Sequence, residues 1–201
     1  MTDVRHAFSE AAAGFLDAVL AVPDDAWAAP GLGVWNVQEL VGHTSRALVT
    51  VEQYLDTMPA EVTIRTPLDY YTAGLQVATP TLHDDVAERG RQAGAALGDD
   101  PVAAIREIVQ RVIDRVASEP DDAVCTSRFG GMLLIDYLPT RIVELTVHCL
   151  DLTDALDRPP TVRPAAVALT TGIMAAIADP LVLIRSLGGR GSLPDGFNVF
   201  G

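Results

Sequence analysis

Apolar residues recur at helical spacing along most of this 201-residue chain, and the interruptions fall on Pro, Gly and Asp. Val4, Phe8, Ala11, Ala12, Phe15, Val19 and Leu20 define a first helix over about 3–21, which Pro23-Asp24-Asp25 ends. A loop rich in Ala, Pro and Gly follows over 26–35 and carries Trp27 and Trp35. The next start signal is strong. Asn36 is an N-cap, Glu39 three residues later completes a capping box, and Trp35 with Leu40 fits a hydrophobic staple. The helix is expected to run to about Met58, with Val37, Leu40, Val41, Ala47, Leu48, Val51, Tyr54 and Leu55 inward.

Residues 59–80 hold Pro59, Pro67, Gly74 and Pro80 with no sustained period, so a long lid or binding loop is expected there. A third helix is predicted over about 81–97 and a fourth over 101–118, separated by Gly98-Asp99-Asp100-Pro101. Residues 119–128 read as a turn, and 129–134 as a short apolar or extended connector. A fifth helix begins near Asp136, with Pro139 in its first turn, and reaches about Leu156. After Arg158-Pro159-Pro160 a sixth spans about 162–178, and the tail holds one short helical piece and a Gly-rich turn. No internal repeat is visible. The pattern predicts an all-α bundle over 1–160 with a short C-terminal helical extension over 161–201 packed on it.

Composition narrows the partners. Fourteen arginines, no lysine and 27 acidic residues give a formal charge of −13, which argues against nucleic acid and anionic membranes as partners. The most membrane-like stretch, 165–184, is broken by Thr170, Thr171, Gly172 and Asp179-Pro180, and is expected to be a buried core helix. The N-terminus lacks the apolar segment of a signal peptide, and Cys125 and Cys149 form no disulfide framework or cysteine metal motif. A cytoplasmic protein is expected, and a homodimer is left open.

The chemistry concentrates on three residues. Glu144 and His148 are four apart in RIVELTVHCLDL, on one face of a helix whose other positions leave little polar surface. A carboxylate carried inward must be neutralised, and His43 sits on the inward stripe of an earlier helix. A lone histidine there would read as a hydrogen-bonded core residue, and Glu144 with His148 alone as a solvated ion pair. Together the three form the ligand set of an open divalent-metal site, zinc or another ion. The spacing is E-x-x-x-H, unlike the H-E-x-x-H of zinc proteases, so the glutamate itself would be a ligand.

These pieces carry a resemblance. W-N-V-Q-E-L-V-G-H (35–43), V-A-E-R-G-R (86–91), P-T-R-I-V-E-L-T-V-H-C-L-D-L (139–152) and the tail G-R-G-S-L-P-D-G-F (189–197) resemble the DinB-like helical bundles of the mycothiol-dependent maleylpyruvate isomerase N-terminal type, an actinobacterial group. The resemblance implies an up-down four-helix bundle with extra helices, zinc held by His43, Glu144 and His148, and mycothiol or a similar low-molecular-weight thiol as cosubstrate. In the isomerase the thiol adds across a cis double bond, allows rotation and is eliminated, whereas other relatives transfer it to electrophiles. Here only a short segment follows residue 160, where the isomerase has a larger domain, so thiol transfer to a small electrophile stands beside isomerisation. The alternative from another class is a non-catalytic metal-binding or stress-response bundle. A metal-free small-molecule binder is the third.

Secondary candidates are weaker. Asp151 could orient His148, although a solvated helix face is the expectation. Arg89, Arg141 and Arg190 could bind carboxylates. Surface charge balance is expected for Arg141, and Arg190 in its glycine-rich run is the preferred anchor with Arg89. Cys149 is expected to be packing, His83 and His6 to lie at the surface, and Tyr70 and Tyr71 to line a pocket mouth or anchor the long loop.

Overall fold

The computed structural model describes residues 3–77 and 82–200, with only the backbone of Leu82 and His83. Eight helices and one short hairpin make up the described residues: α1 (Val4–Leu20), α2 (Val37–Asp56), α3 (Pro67–Gln76), α4 (Leu82–Ala96), α5 (Pro101–Ser118), β1 (Val124–Ser127), β2 (Gly130–Leu133), α6 (Leu134–Ala155), α7 (Pro164–Ile177) and α8 (Pro180–Leu187). The architecture is the expected all-α, DinB-like bundle. Its core is built by α1, α2, α5 and α6. α1 and α2 each pack against both α5 and α6, so α1 faces α2 across a diagonal. α4 lies along α2, and α7 covers α1 and α6. Phe8, Phe15, Leu40, Leu48, Ile105, Leu138, Ile142 and Leu145 fill the interior without measurable exposure.

The local signals explain the ends. Asn36 accepts from Glu39 N at 2.9 Å while Glu39 Oε2 accepts from Asn36 N at 3.0 Å, so the capping box at α2 is complete. Asp3 and Asp100 cap α1 and α5. Two glycines let α4 approach α2 at backbone contact. A Cβ on Gly42 would lie 2.2 Å from Gly94 N, and one on Gly94 would lie 2.9 Å from Glu39 Cα.

Four expectations need correction. The stretch 59–80 is not structureless, because α3 occupies Pro67–Gln76, capped by Thr66 with Pro67 in the first turn. Only Tyr70 of that helix is buried, so it shows no apolar stripe for a periodicity reading to find. Residues 124–133 form an antiparallel hairpin, with Cys125 opposite Met132, where a turn and connector were expected. Val62 and the Thr63 and Ile64 amides attach the approach to α3 to Gly131 on its edge. Finally, α6 starts at Leu134, which makes Pro139 its sixth residue instead of a first-turn one. Its first amides are satisfied from outside: Leu134 N donates to Ala123 O at 2.7 Å and Ile135 N to Asp121 O at 3.3 Å. The expected start of the third helix at 81, with Pro80 before it and the His83 side chain, lies outside the described residues.

The 165–184 stretch is two short helices, and no helix of the described residues is long and apolar enough to cross a membrane. Nor is it a buried core helix: α7 buries only Ala166 and Thr170 on the bundle, and α8 buries nothing.

Candidate metal centre

His43 reaches the site from α2, held by its aromatic neighbour. The Trp35 indole stacks on the imidazole with centroids 4.3 Å apart, and Trp35 Nε1 donates to Ala87 O of α4 at 2.9 Å. Trp35 is placed by the loop before α2, where Gly31 N donates to Trp35 O and Val37 N to Ala29 O. From α6, His148 meets His43 edge to face at 4.8 Å. Glu144 Oε2 lies 3.6 Å from His148 Nε2, and Asp151 Oδ2 lies 2.9 Å from His148 Nδ1. One donor atom from each of His43, Glu144 and His148 falls within 4.8 Å of the other two.

That set fits a divalent ion. A tetrahedral ion with ligand bonds of about 2.0–2.2 Å needs donors about 3.4 Å apart, so side-chain adjustment of about an ångström closes the site. Because the Asp151 carboxylate can only accept, His148 donates from Nδ1 and turns Nε2 toward Glu144. Solvated-face behaviour was expected for Asp151, and the structure instead binds it to His148. The helical phase accounts for this, since 144, 148 and 151 share one face of α6.

Protonation is polarised across the cluster. Burial first, then the charge of His148, lowers the His43 pKa to about 4, so its ring is neutral and ready to coordinate. Burial alone would raise Glu144, but its hydrogen bond to His148 and the charge of Arg141 bring it to about 2. Burial would lower His148, but hydrogen bonds to Asp151 and Glu144 raise it to about 9. Without an ion, the site balances itself as a carboxylate–imidazolium pair.

The cluster opens onto a cavity of about 320 Å³ between α2, α3, α4 and α6, and the Glu144 side chain keeps 33 % exposure there. Arg46, Arg89, Arg128 and Arg141 line it, with Glu144 as the only carboxylate among its lining residues. Arg89 is where it was expected. Arg141 is not a surface residue: it is 8 % exposed, with its guanidinium 5.3 Å from the Tyr70 ring and 4.9 Å from Tyr137. Its position three residues before Glu144 carries it to the same face of α6. Arg190, the preferred anchor, is exposed in the tail beyond α8 and donates to Gly188 O, away from the cavity. Its side chain folds back on the tail's own backbone at Gly188. Arg46 and Arg128 were missed. Arg46 had a readable signal, three residues after His43, whereas Arg128 arrives through a hairpin the sequence pattern did not reveal.

Tyr70 and Tyr71 both line the cavity, and Tyr71 Oη donates to Thr140 O at 3.2 Å, so they anchor α3 as well. Cys149 is buried against Gly14 O and Thr161 as packing, and His6 is exposed beside Glu10.

Searches of curated proteins and of solved structures returned no match. The sequence model of the family described as mycothiol maleylpyruvate isomerase N-terminal domain matches residues 8–153, a span that holds the bundle core, His43, Glu144, His148 and Asp151. With nearly three quarters of its length matched, the chain belongs to that mycothiol maleylpyruvate isomerase N-terminal domain family.

Proposed function

We propose that this protein is a metal-dependent enzyme, with zinc as the expected ion, that activates a low-molecular-weight thiol of the mycothiol type for attack on a small electrophile, by transfer or by addition and elimination. The observation that carries the reading is the convergence of His43, Glu144 and His148 beside the cavity, with Asp151 fixing the tautomer of His148. A divalent ion held by those three residues would leave an open position of Lewis-acid character at which a thiol is shifted toward its thiolate.

The protein's own groups prepare for this. His43 stays unprotonated and stacked on Trp35, so its ring needs little reorganisation. Glu144 contributes the one negative charge of the ligand set. Tyr70, Tyr71 and Phe129 form an apolar wall that excludes water from a bound electrophile. Both protein thiols are buried away from the cavity, so the reactive sulfur comes from solution. The other proposed partners are small molecules alone, in the cytoplasm.

Metal analysis of protein purified without chelator, with zinc and nickel titration and a mycothiol-conjugation assay, tests the reading. About one ion per chain, lost in His43→Ala, with thiol consumption that needs the ion, is expected. Absence of stoichiometric binding sinks it. Stoichiometric binding that raises the melting temperature without any turnover replaces it with a structural metal bundle.

A further inference from the structure

α4 is held by few contacts, and one of them runs through the ring that supports His43. The helix packs along α2. Between residues 84 and 96 only Gly90 and Gly94 are buried, whereas Val86, Ala87 and Ala93 are half-buried and Ala95 and Ala96 are exposed. Among the described residues no ion pair joins α4 to another element, because the side-chain bonds of Glu88, Arg91 and Gln92 stay within the helix. What fastens it is backbone contact between Gly42 and Gly94, the Gln38 Nε2 donation to Gly94 O at 3.1 Å, and Trp35. A helix docked with so little apolar burial belongs to the low-stability end of a fold, where segments open locally.

Trp35 is the fastening that also reaches the site. A Cβ on Gly90 would lie 2.6 Å from the indole Cε2 and Nε1, so α4 meets the ring with bare backbone. Trp35 Nε1 donates to Ala87 O at 2.9 Å, one turn earlier on the same helix. His43 stacks on this indole, with 4.3 Å between centroids and 28° between planes. The indole therefore touches α4 and the imidazole at once. Displacing α4 frees the indole, and a freed indole no longer orients His43.

Coordination would act on the same stack. An ion bound through one His43 nitrogen fixes the plane of the ring and draws electron density from it, which strengthens its attraction to the electron-rich indole face. The ion thus favours the state with α4 docked, and by linkage the docked state favours the ion. Val86 and Arg89 of α4 line the cavity, so the same event completes one of its walls.

We propose that Trp35 is a positioning residue that couples the docking of α4 to metal binding at His43, so that an ion seats this cavity wall as it loads. The proposal rests on the metal reading of the site and needs none of the thiol chemistry.

Hydrogen exchange of the full chain with and without saturating zinc, beside zinc titration against a competing chelator, tests it. Zinc should slow exchange of the α4 amides by about tenfold and leave those of α8, which packs on α7, unchanged. Trp35→Leu removes both the stack and the donor, so zinc affinity should fall by about tenfold and the α4 response should vanish. Trp35→Phe keeps a ring on His43 without the donor. It should restore most of the affinity while α4 stays several-fold less protected than in the unmodified protein. Should Trp35→Leu fail to fold, Gly90→Ala carries the test, since its methyl pushes α4 off the indole and should weaken both zinc affinity and the α4 response several-fold. Zinc binding without slower exchange in α4 overturns the coupling and leaves the metal site standing. An α4 response that persists unchanged in folded Trp35→Leu or in Gly90→Ala does the same, as does a Trp35→Phe affinity no better than that of Trp35→Leu. Absence of stoichiometric zinc binding in the unmodified protein overturns the metal reading, and the coupling falls with it.

Discussion

Asp151 Oδ2 sits 2.9 Å from His148 Nδ1, one helical turn beyond a histidine that faces Glu144 through its other nitrogen. The pair fixes which nitrogen of His148 is free, and raises its basicity as a ligand. Asp151→Asn keeps the size but removes the charge. Its metal affinity should fall about 10- to 100-fold, with the helix content unchanged. A zinc titration against a competing chelator measures this. An affinity equal to that of the unmodified protein would show that Asp151 is ornamental to the site.

Gly42 precedes His43 at the contact between α2 and α4, where an added methyl would overlap Gly94 backbone at 2.2–2.4 Å. Neither backbone can yield without separating the helices. Gly42→Ala should therefore cost about 3 kcal/mol and loosen the Trp35–Ala87 hydrogen bond that supports His43. Gly172→Ala is the opposite case. It lies mid-helix in α7 with nothing within 4 Å of the new carbon, so it should stabilise by up to about 1 kcal/mol. Urea melts of the two variants should move in opposite directions.

These glycines mark the boundary of what the sequence reveals. The capping box at Asn36 and the shared face of Glu144 and His148 are local rules, readable from spacing alone, and each is found where it was expected. Contacts between elements are different. Trp35 was readable as a staple but not as the platform for His43, because that stacking depends on how the loop before α2 folds back. Arg141 was assigned to surface charge balance, and the aromatic shell that receives it was only half readable: Tyr137 lies four residues earlier on α6 itself, whereas Tyr70 comes from α3. The short α3 and the hairpin bury too few residues to leave a period, so their positions over the cavity came from the fold alone.

Neither cysteine should react in the native state. Burial pushes the Cys125 thiol up to about 12 and raises Cys149, whose Sγ is occupied by Thr161 and Gly14 O. Both effects suppress the thiolate. At pH 8, labelling by a chromogenic disulfide reagent should be negligible in native protein and reach two thiols per chain in urea. Fast labelling of one thiol in native protein would contradict this burial and would bring a protein sulfur into the chemistry.

The protonation pattern of the metal-free cluster sets a pH signature. His148 has a folded pKa near 9, above its ordinary 6.5, so its contribution to stability is complete below pH 6.5 and is lost as the pH rises through 9. His43 behaves oppositely. Its folded pKa near 4 makes the native state bind fewer protons than the unfolded chain below pH 6.5, so stability drains as the pH falls from 6.5 toward 4. Glu144, lowered from 4.5 to about 2, adds its loss only below pH 4.5. Chelator-treated protein should therefore be most stable near pH 6.5, with His148→Gln flattening the alkaline limb and His43→Gln the upper acid limb. An ion among the three ligands requires His148 unprotonated, so loading at pH 7.5 should release about one proton per ion and abolish the alkaline decline. Calorimetry in two buffers of different ionisation enthalpy reads the proton directly. Loading without proton release would mean that His148 is neutral beforehand, and that the carboxylate–imidazolium pair does not exist in the empty site.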